Sequence, residues 1–336
     1  MLEDLIMETT PHDRVKAWLK QDINKQVEQQ FGKEFWKVAT LATLSVRCSC
    51  NECAPEAYVD ACVGHSGHIR PAKAGQALTF GPLKTRYEAL ELAHAAVAVM
   101  TRPQHEMTPE QLLAIGVFQS CWKKEWKYWF GEQPLDPNRC KMNYLQLIKM
   151  ARLLSTIMFS MVPEAPGLHL HAVSAERFVY SVGWDESVGP DYDGIMQLQD
   201  GLPVISLNPN ARGTWRYDRG KLAVERLGTL VHELIHAFLA MFSCESCNKA
   251  NDNLQKFEGH GRAWHLMAKA AEEALPRLLW VQLDTGRRSE ITRWRHVDFK
   301  GHSLHDLVSY GFLTEHLTED HTGDQSYKKR RHCELN

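Results

Sequence analysis

The sequence predicts an α+β chain in which a small sheet precedes metal-binding helices, with a helical N-terminal extension in front. Three observations predict this. Apolar residues recur at helical spacing in several segments before residue 131. Short β-like runs, broken by turn residues, lie between residues 169 and 207. From Leu227 onwards an apolar helical pattern carries His232-Glu233-Leu234-Ile235-His236, an H-E-x-x-H.

The elements follow in order. Asp13 to Phe31 has helical spacing through Val15, Trp18, Leu19, Ile23 and Val27. Thr85 to Met100, rich in alanine and leucine, stops before Pro103. Thr108-Pro109-Glu110-Gln111 resembles a capping box with proline at the first helical position, opening a helix towards Phe130. Pro134 and Pro137 make Gly131 to Arg139 the best candidate for a domain boundary. Asn143 to Met161 is a further amphipathic helix that runs into Pro163.

His169 to Val173, Arg177 to Val182, Gly194 to Leu198 and Pro203 to Leu207 are the strand candidates, the last two joined by a turn at Asp200-Gly201. A second apolar helix, Ala263 to Ala274, follows the H-E-x-x-H segment, and the pattern becomes mixed after Pro276. The expected parts are a helical N-terminal region (1–140), a metal-binding core (141–275), a C-terminal extension (276–316) and a polar, flexible tail (317–336).

The chemistry expected of the core starts from spacing. Two imidazoles one helical turn apart point the same way, so His232 and His236 can reach one metal ion. Glu233 follows the first of them and can accept a proton from a water on that metal. The chain has 17 histidines, so a chance match is not rare and the setting must add weight. It does, because Leu227, Leu230, Val231, Leu234, Phe238 and Met241 would bury one side of the helix and hold the ligands rigidly. The bland alternative is a core helix whose histidines only bond carbonyls. Catalytic zinc takes three protein ligands, and Glu258-Gly259-His260-Gly261-Arg262-Ala263-Trp264-His265 offers the third. Glycines on either side of His260 permit a tight turn that would aim its ring at the first helix. Glu258 and His265 are the alternatives.

These blocks resemble the SprT-like, Spartan-type zinc metalloproteases. The resemblance rests on Pro203-Val204-Ile205-Ser206-Leu207-Asn208-Pro209, similar to that family's edge strand ending in Asn-Pro, then on Leu230 to Ala237, then on Gly259-His260-Gly261-Arg262-Ala263-Trp264. It covers roughly Asn143 to Ala274. It implies a zincin-like core at 141–275, zinc held by His232, His236 and His260, Glu233 as general base, and protein substrates trapped on DNA. The chain departs from the pattern in lacking a cysteine-rich ribbon after the core, since only Cys333 follows Cys247. No sliding-clamp or ubiquitin-binding motif is recognisable either. A zinc-stapled scaffold without catalysis, or a peptidase acting without DNA, is therefore carried as an alternative. Arg262 and several tyrosines are candidates to stabilise an oxyanion.

Composition narrows the partners. Hydrophobic residues at 44% and charged residues at 24% are those of a soluble globular chain, and the formal charge of −2 excludes a globally basic nucleic-acid binder. No apolar run approaches a membrane span. Met1 to Thr10 is acidic where a secretory signal would be basic, so a nuclear or cytoplasmic site is expected, the nucleus weakly favoured by Lys328-Lys329-Arg330-Arg331. Cys48, Cys50, Cys53, Cys62, His65 and His68 crowd together but match no zinc-finger spacing, so ordinary thiols are favoured over a second zinc. Cys244 and Cys247 are read in the same way. Lysines and aromatics interleave from Cys121 to Phe130, as in single-strand binding surfaces. Helical spacing of Trp122, Trp126 and Trp129 with Phe130 favours core packing instead. DNA stays a candidate partner and the oligomeric state is unread.

Overall fold

The structure, a computed structural model, describes residues 74–78, 80, 86–131, 142–160, 178–189, 192–210, 219–247, 253–254, 258–287, 290 and 304–311. Asp13 to Phe31, the cluster from Cys48 to His68, the strand candidate at His169 to Val173, the boundary segment after Gly131 and the tail past Leu317 lie outside these residues. The chain divides into two compact units, residues 64–287 with 325–336, and residues 1–63 with 288–324.

The first unit is α+β. Helix α1 (Ala89–Thr101) starts where Glu88 accepts the Glu91 N–H at 2.8 Å, four residues later than composition suggested. Tyr87, just before it, instead bridges to Ser243 as an extended residue. Helix α2 (Pro109–Cys121) opens on the capping box read in the sequence, with Gln111 N–H on the Thr108 hydroxyl and Thr108 N–H on the Gln111 side chain.

A π turn at Trp122–Trp126 leads into α3 (Lys127–Phe130). Phe118, Trp122, Trp126 and Phe130, each four residues apart, are all buried, whereas Lys123, Lys124 and Lys127 are exposed. Trp122, Trp126 and Phe130 are therefore core, Trp129 is half-buried against it, and the lysines with exposed Tyr128 form the solvated face. Helix α4 (Tyr144–Phe159) has a second capping box, Asn143 with Gln146, and stops at Ser160 in the left-handed region (φ 53°).

Three strands follow, β1 (Ser181–Trp184), β2 (Gly194–Gln199) and β3 (Leu202–Leu207), in spatial order β1-β3-β2. Asp200 and Gly201, both at positive φ (52° and 77°), make the two-residue turn between β2 and β3, which sets the antiparallel register Gly194↔Leu207 to Gln199↔Leu202. β1 runs parallel to β3, with Ser181 opposite Val204 and Trp184 opposite Leu207. The strand ending at Asn208-Pro209 is thus not an edge. The resemblance placed Pro203 to Leu207 at the sheet edge, but β3 is paired on both sides and alternates buried and half-buried residues. Among the described residues, β2 is the outer strand beside it, and its last three residues are exposed.

Helix α5 (Arg219–Phe242) lies across β3 and β2, and α6 (Arg262–Leu279) packs along α1 and against α5. Gly194 lets β2 start against α5, since a Cβ there would stand 2.7 Å from the Thr229 methyl. Helix α6 does not break at Pro276. It runs three residues further, to Leu279, with Trp280 in the left-handed region closing it.

One hydrophobic core joins helices from both sides of the Gly131 segment, from Leu78 ahead of α1 to Leu283 beyond α6. At its centre Phe238 of α5 stacks on Phe159 of α4 at 4.1 Å between ring centroids, and Phe178 meets both edge-on. No described helix is long and apolar enough to cross a membrane. In the second unit the described residues include helix α7 (Leu304–Ser309), followed by buried Tyr310, whose N–H bonds the Asp306 carbonyl at 2.9 Å.

Candidate metal centre

Helix α5 supplies two imidazoles from a side chain row that faces away from its packed surface. Leu227, Leu230, Val231, Leu234, Ile235 and Phe238 are fully buried, while His232 and His236 are only partly so. Their spacing of four residues brings Nε2 of His232 to 3.1 Å from Nε2 of His236. Packing fixes the helix, and the helix fixes the pair.

His260 completes the set by a different route. Glu258 (φ 57°) and Gly259 (φ 89°) turn the chain sharply, and Gly261 then opens α6. A Cβ at Gly259 would lie 3.2 Å from Cε1 of His236, and one at Gly261 would lie 2.6 Å from the Asn253 backbone. Glycine is required at 261 by the close approach, and is favoured at 259 by its positive φ. The result is His260 Nε2 at 3.1 Å from His236 Nε2 and 3.0 Å from His232 Nε2. Of the alternatives for the third position, Glu258 forms the turn, and His265 is buried on α6 beside Trp264. Neither joins the group of three histidines.

The donor set suits a divalent cation. The separations of 3.0–3.1 Å approach the roughly 3.3 Å between ligand nitrogens on a tetrahedral zinc with bonds of about 2.0–2.1 Å. Nδ1 of His232 stands 2.8 Å from the Thr285 carbonyl, which can only accept, so the proton sits on Nδ1 and the Nε2 lone pair faces the other two rings. Burial, followed by the neighbouring His260, His232 and His265, holds the His236 imidazole well below its ordinary range, so it too is neutral at pH 7. The indole of fully buried Trp264 floors the site, with ring centroids 4.6, 5.6 and 4.5 Å from His232, His236 and His260. Glu233 is buried, with Oε1 4.0 Å from His232 Nε2, so its carboxylate lies beside the point where the nitrogens converge.

No family model, curated protein or solved structure matches this chain.

Among the described residues no other group of three candidate ligands comes together. Cys244 is buried with Sγ 3.3 Å from the Ser246 hydroxyl, and Cys247 is half-buried in the same loop. Arg262, a sequence candidate for oxyanion stabilisation, is buried and donates to Asn253 Oδ1 at 3.3 Å.

Sequence reasoning missed the supports. Asn253 also donates to Glu88 Oε1 at 2.7 Å, which ties the loop behind His260 to the cap of α1. Glu272, Thr285 and Arg287 stand behind His232, and nothing in their residue types marks them. The available signal was Gly228, a glycine inside an apolar helical run, which costs about 1 kcal/mol and so implies close packing.

Proposed function

We propose that the chain is a zinc-dependent endopeptidase of SprT-like type, built on a zincin-like core. His232, His236 and His260 hold the zinc and Glu233 is the general base. The observation that carries this reading is the convergence of three imidazoles on one point with a buried carboxylate beside it. When bound, zinc polarises a scissile carbonyl and lowers the pKa of its water to about 7. Glu233, buried beside the three rings, would be the general base that moves a proton from water to the leaving amine. Trp264 keeps solvent off one side of the three rings, and the glycines at 259 and 261 keep His260 aimed. A purely structural zinc, as in a scaffold, would need no carboxylate in that place.

Protein is the substrate class. Proteins bound or crosslinked to DNA are the substrates that the family resemblance suggests. One observation favours a DNA-independent reading: Trp122 and Trp126 of the lysine-rich strip are buried, which leaves only Tyr128 and the half-buried Trp129 to meet bases. Digestion of a basic DNA-binding protein, with and without single-stranded DNA, separates the two when wild type is compared with Glu233→Gln. Cleavage that needs Glu233 and rises with DNA supports DNA-linked substrates. Cleavage that needs Glu233 but ignores DNA supports the general peptidase, and cleavage unaffected by Glu233→Gln contradicts the enzymatic proposal.

A further inference from the structure

Behind His232 a row of hydrogen bonds runs away from the site into α6 and the segment beyond it. The Thr285 carbonyl accepts Nδ1–H of His232 at 2.8 Å. Thr285 in turn donates its N–H (3.1 Å) and hydroxyl (2.6 Å) to Oε1 of Glu272. The other carboxylate oxygen, Oε2, receives Nε (2.9 Å) and Nη2 (2.8 Å) of Arg287. Thr285 and Arg287 are buried at 2% and 7% exposure, so these bonds are shielded from competing water.

The geometry is enforced from the α5 side as well. A Cβ at Gly228, one turn before His232, would stand 1.9 Å from the Asp284 carbonyl, so only glycine lets residues 284–285 reach the helix. Asp284 closes the turn by accepting the Gly286 N–H at 2.8 Å.

We propose that Glu272 and Arg287, acting through Thr285, are positioning residues that fix the tautomer and the direction of His232. Direction follows from chemistry. Arg287 can only donate, so Glu272 is the acceptor, Thr285 is held by its two donors, and its carbonyl is left for one imidazole N–H. His232 thereby keeps its proton on Nδ1 and its lone pair on Nε2, turned to the other two imidazoles. Outer partners of this kind are worth about 10- to 100-fold in metal affinity. The inference rests on the metal-site reading, but the tautomer of His232 can be read without metal.

The test uses the full chain. Long-range ¹H–¹⁵N spectra of the metal-free protein are expected to give His232 as a single Nδ1–H tautomer, and zinc affinity is measured by chelator competition. Glu272→Ala is expected to mix the tautomers and weaken zinc binding by about 10- to 100-fold, while Glu272→Gln, which keeps an acceptor for Thr285, recovers most of both. Thr285→Val removes one donor and shifts both readouts the same way by less, which keeps the test open should Glu272→Ala fail to fold. Wild-type tautomer and wild-type zinc affinity in a folded Glu272→Ala or in Thr285→Val would overturn the proposal. A wild-type chain that binds no zinc would instead overturn the metal-site reading, and the tautomer comparison would still decide this one.

Discussion

The two arms of the site reach the same 3.0–3.1 Å geometry by opposite means. His232 and His236 ride on a regular helix whose other sides are buried, so their positions come from repetition and core packing. His260 sits on irregular backbone, after two successive residues at positive φ and before Gly261, which admits a neighbour too close for any Cβ. The helix arm is redundant, because many apolar contacts hold it. The loop arm is not. Its placement depends on Gly259, Gly261 and the Glu88–Asn253–Arg262 bonds, the first of which comes from the cap of α1. The helices before residue 131 therefore help to build the site as well as precede it.

The largest effect expected is chemical and lies on the helix arm. Glu233→Gln keeps size and hydrogen bonding but cannot take a proton, so turnover falls by about 10²-fold or more while zinc content stays. Steady-state proteolysis with metal analysis on the same sample checks this, and a wild-type rate sinks the general-base role.

Next comes a break in the loop arm. Gly261→Ala forces a Cβ to 2.6 Å from the Asn253 backbone, and overpacking of that kind costs about 1–3 kcal/mol. Denaturant unfolding should show that loss, together with weaker zinc binding, since the shift passes to His260. Stability lost with zinc affinity unchanged would mean that the loop is less coupled to the ligand than the comparison holds.

The smallest effect belongs to the strip outside both arms. Lys123, Lys124 and Lys127 are exposed on the solvated side of buried tryptophans, so changing all three to Ala should leave stability within about 0.5 kcal/mol. If they meet phosphates, the same variant flattens the salt dependence of DNA binding. A wild-type chain with no affinity for single- or double-stranded DNA at low salt removes that role.

What the sequence made legible follows the same division. His232, Glu233 and His236 were readable because a helix repeats, and a repeat shows in the spacing of Leu230, Leu234 and Phe238. His260 was readable through its flanking glycines, although spacing alone left Glu258 and His265 open. The core role of Trp122 and Trp126 was also visible in their four-residue interval. Thr285 was not, because the group it offers is a backbone carbonyl, which every residue type carries. Neither was the interior place of β3, since a run of alternating residues does not say how many partners it has. The continuation of α6 through Pro276 depends on how near the helix end lies, and composition does not report that.

The three-histidine centre stands or falls on metal content. Wild-type chain and His260→Ala are purified side by side and analysed for zinc by mass spectrometry. Three converging imidazoles predict about one zinc per wild-type chain and a sharp loss in the variant, because two ligands on a helix leave an open coordination that a weak site cannot retain. Full stoichiometric zinc in folded His260→Ala would take His260 out of the site and contradict the account.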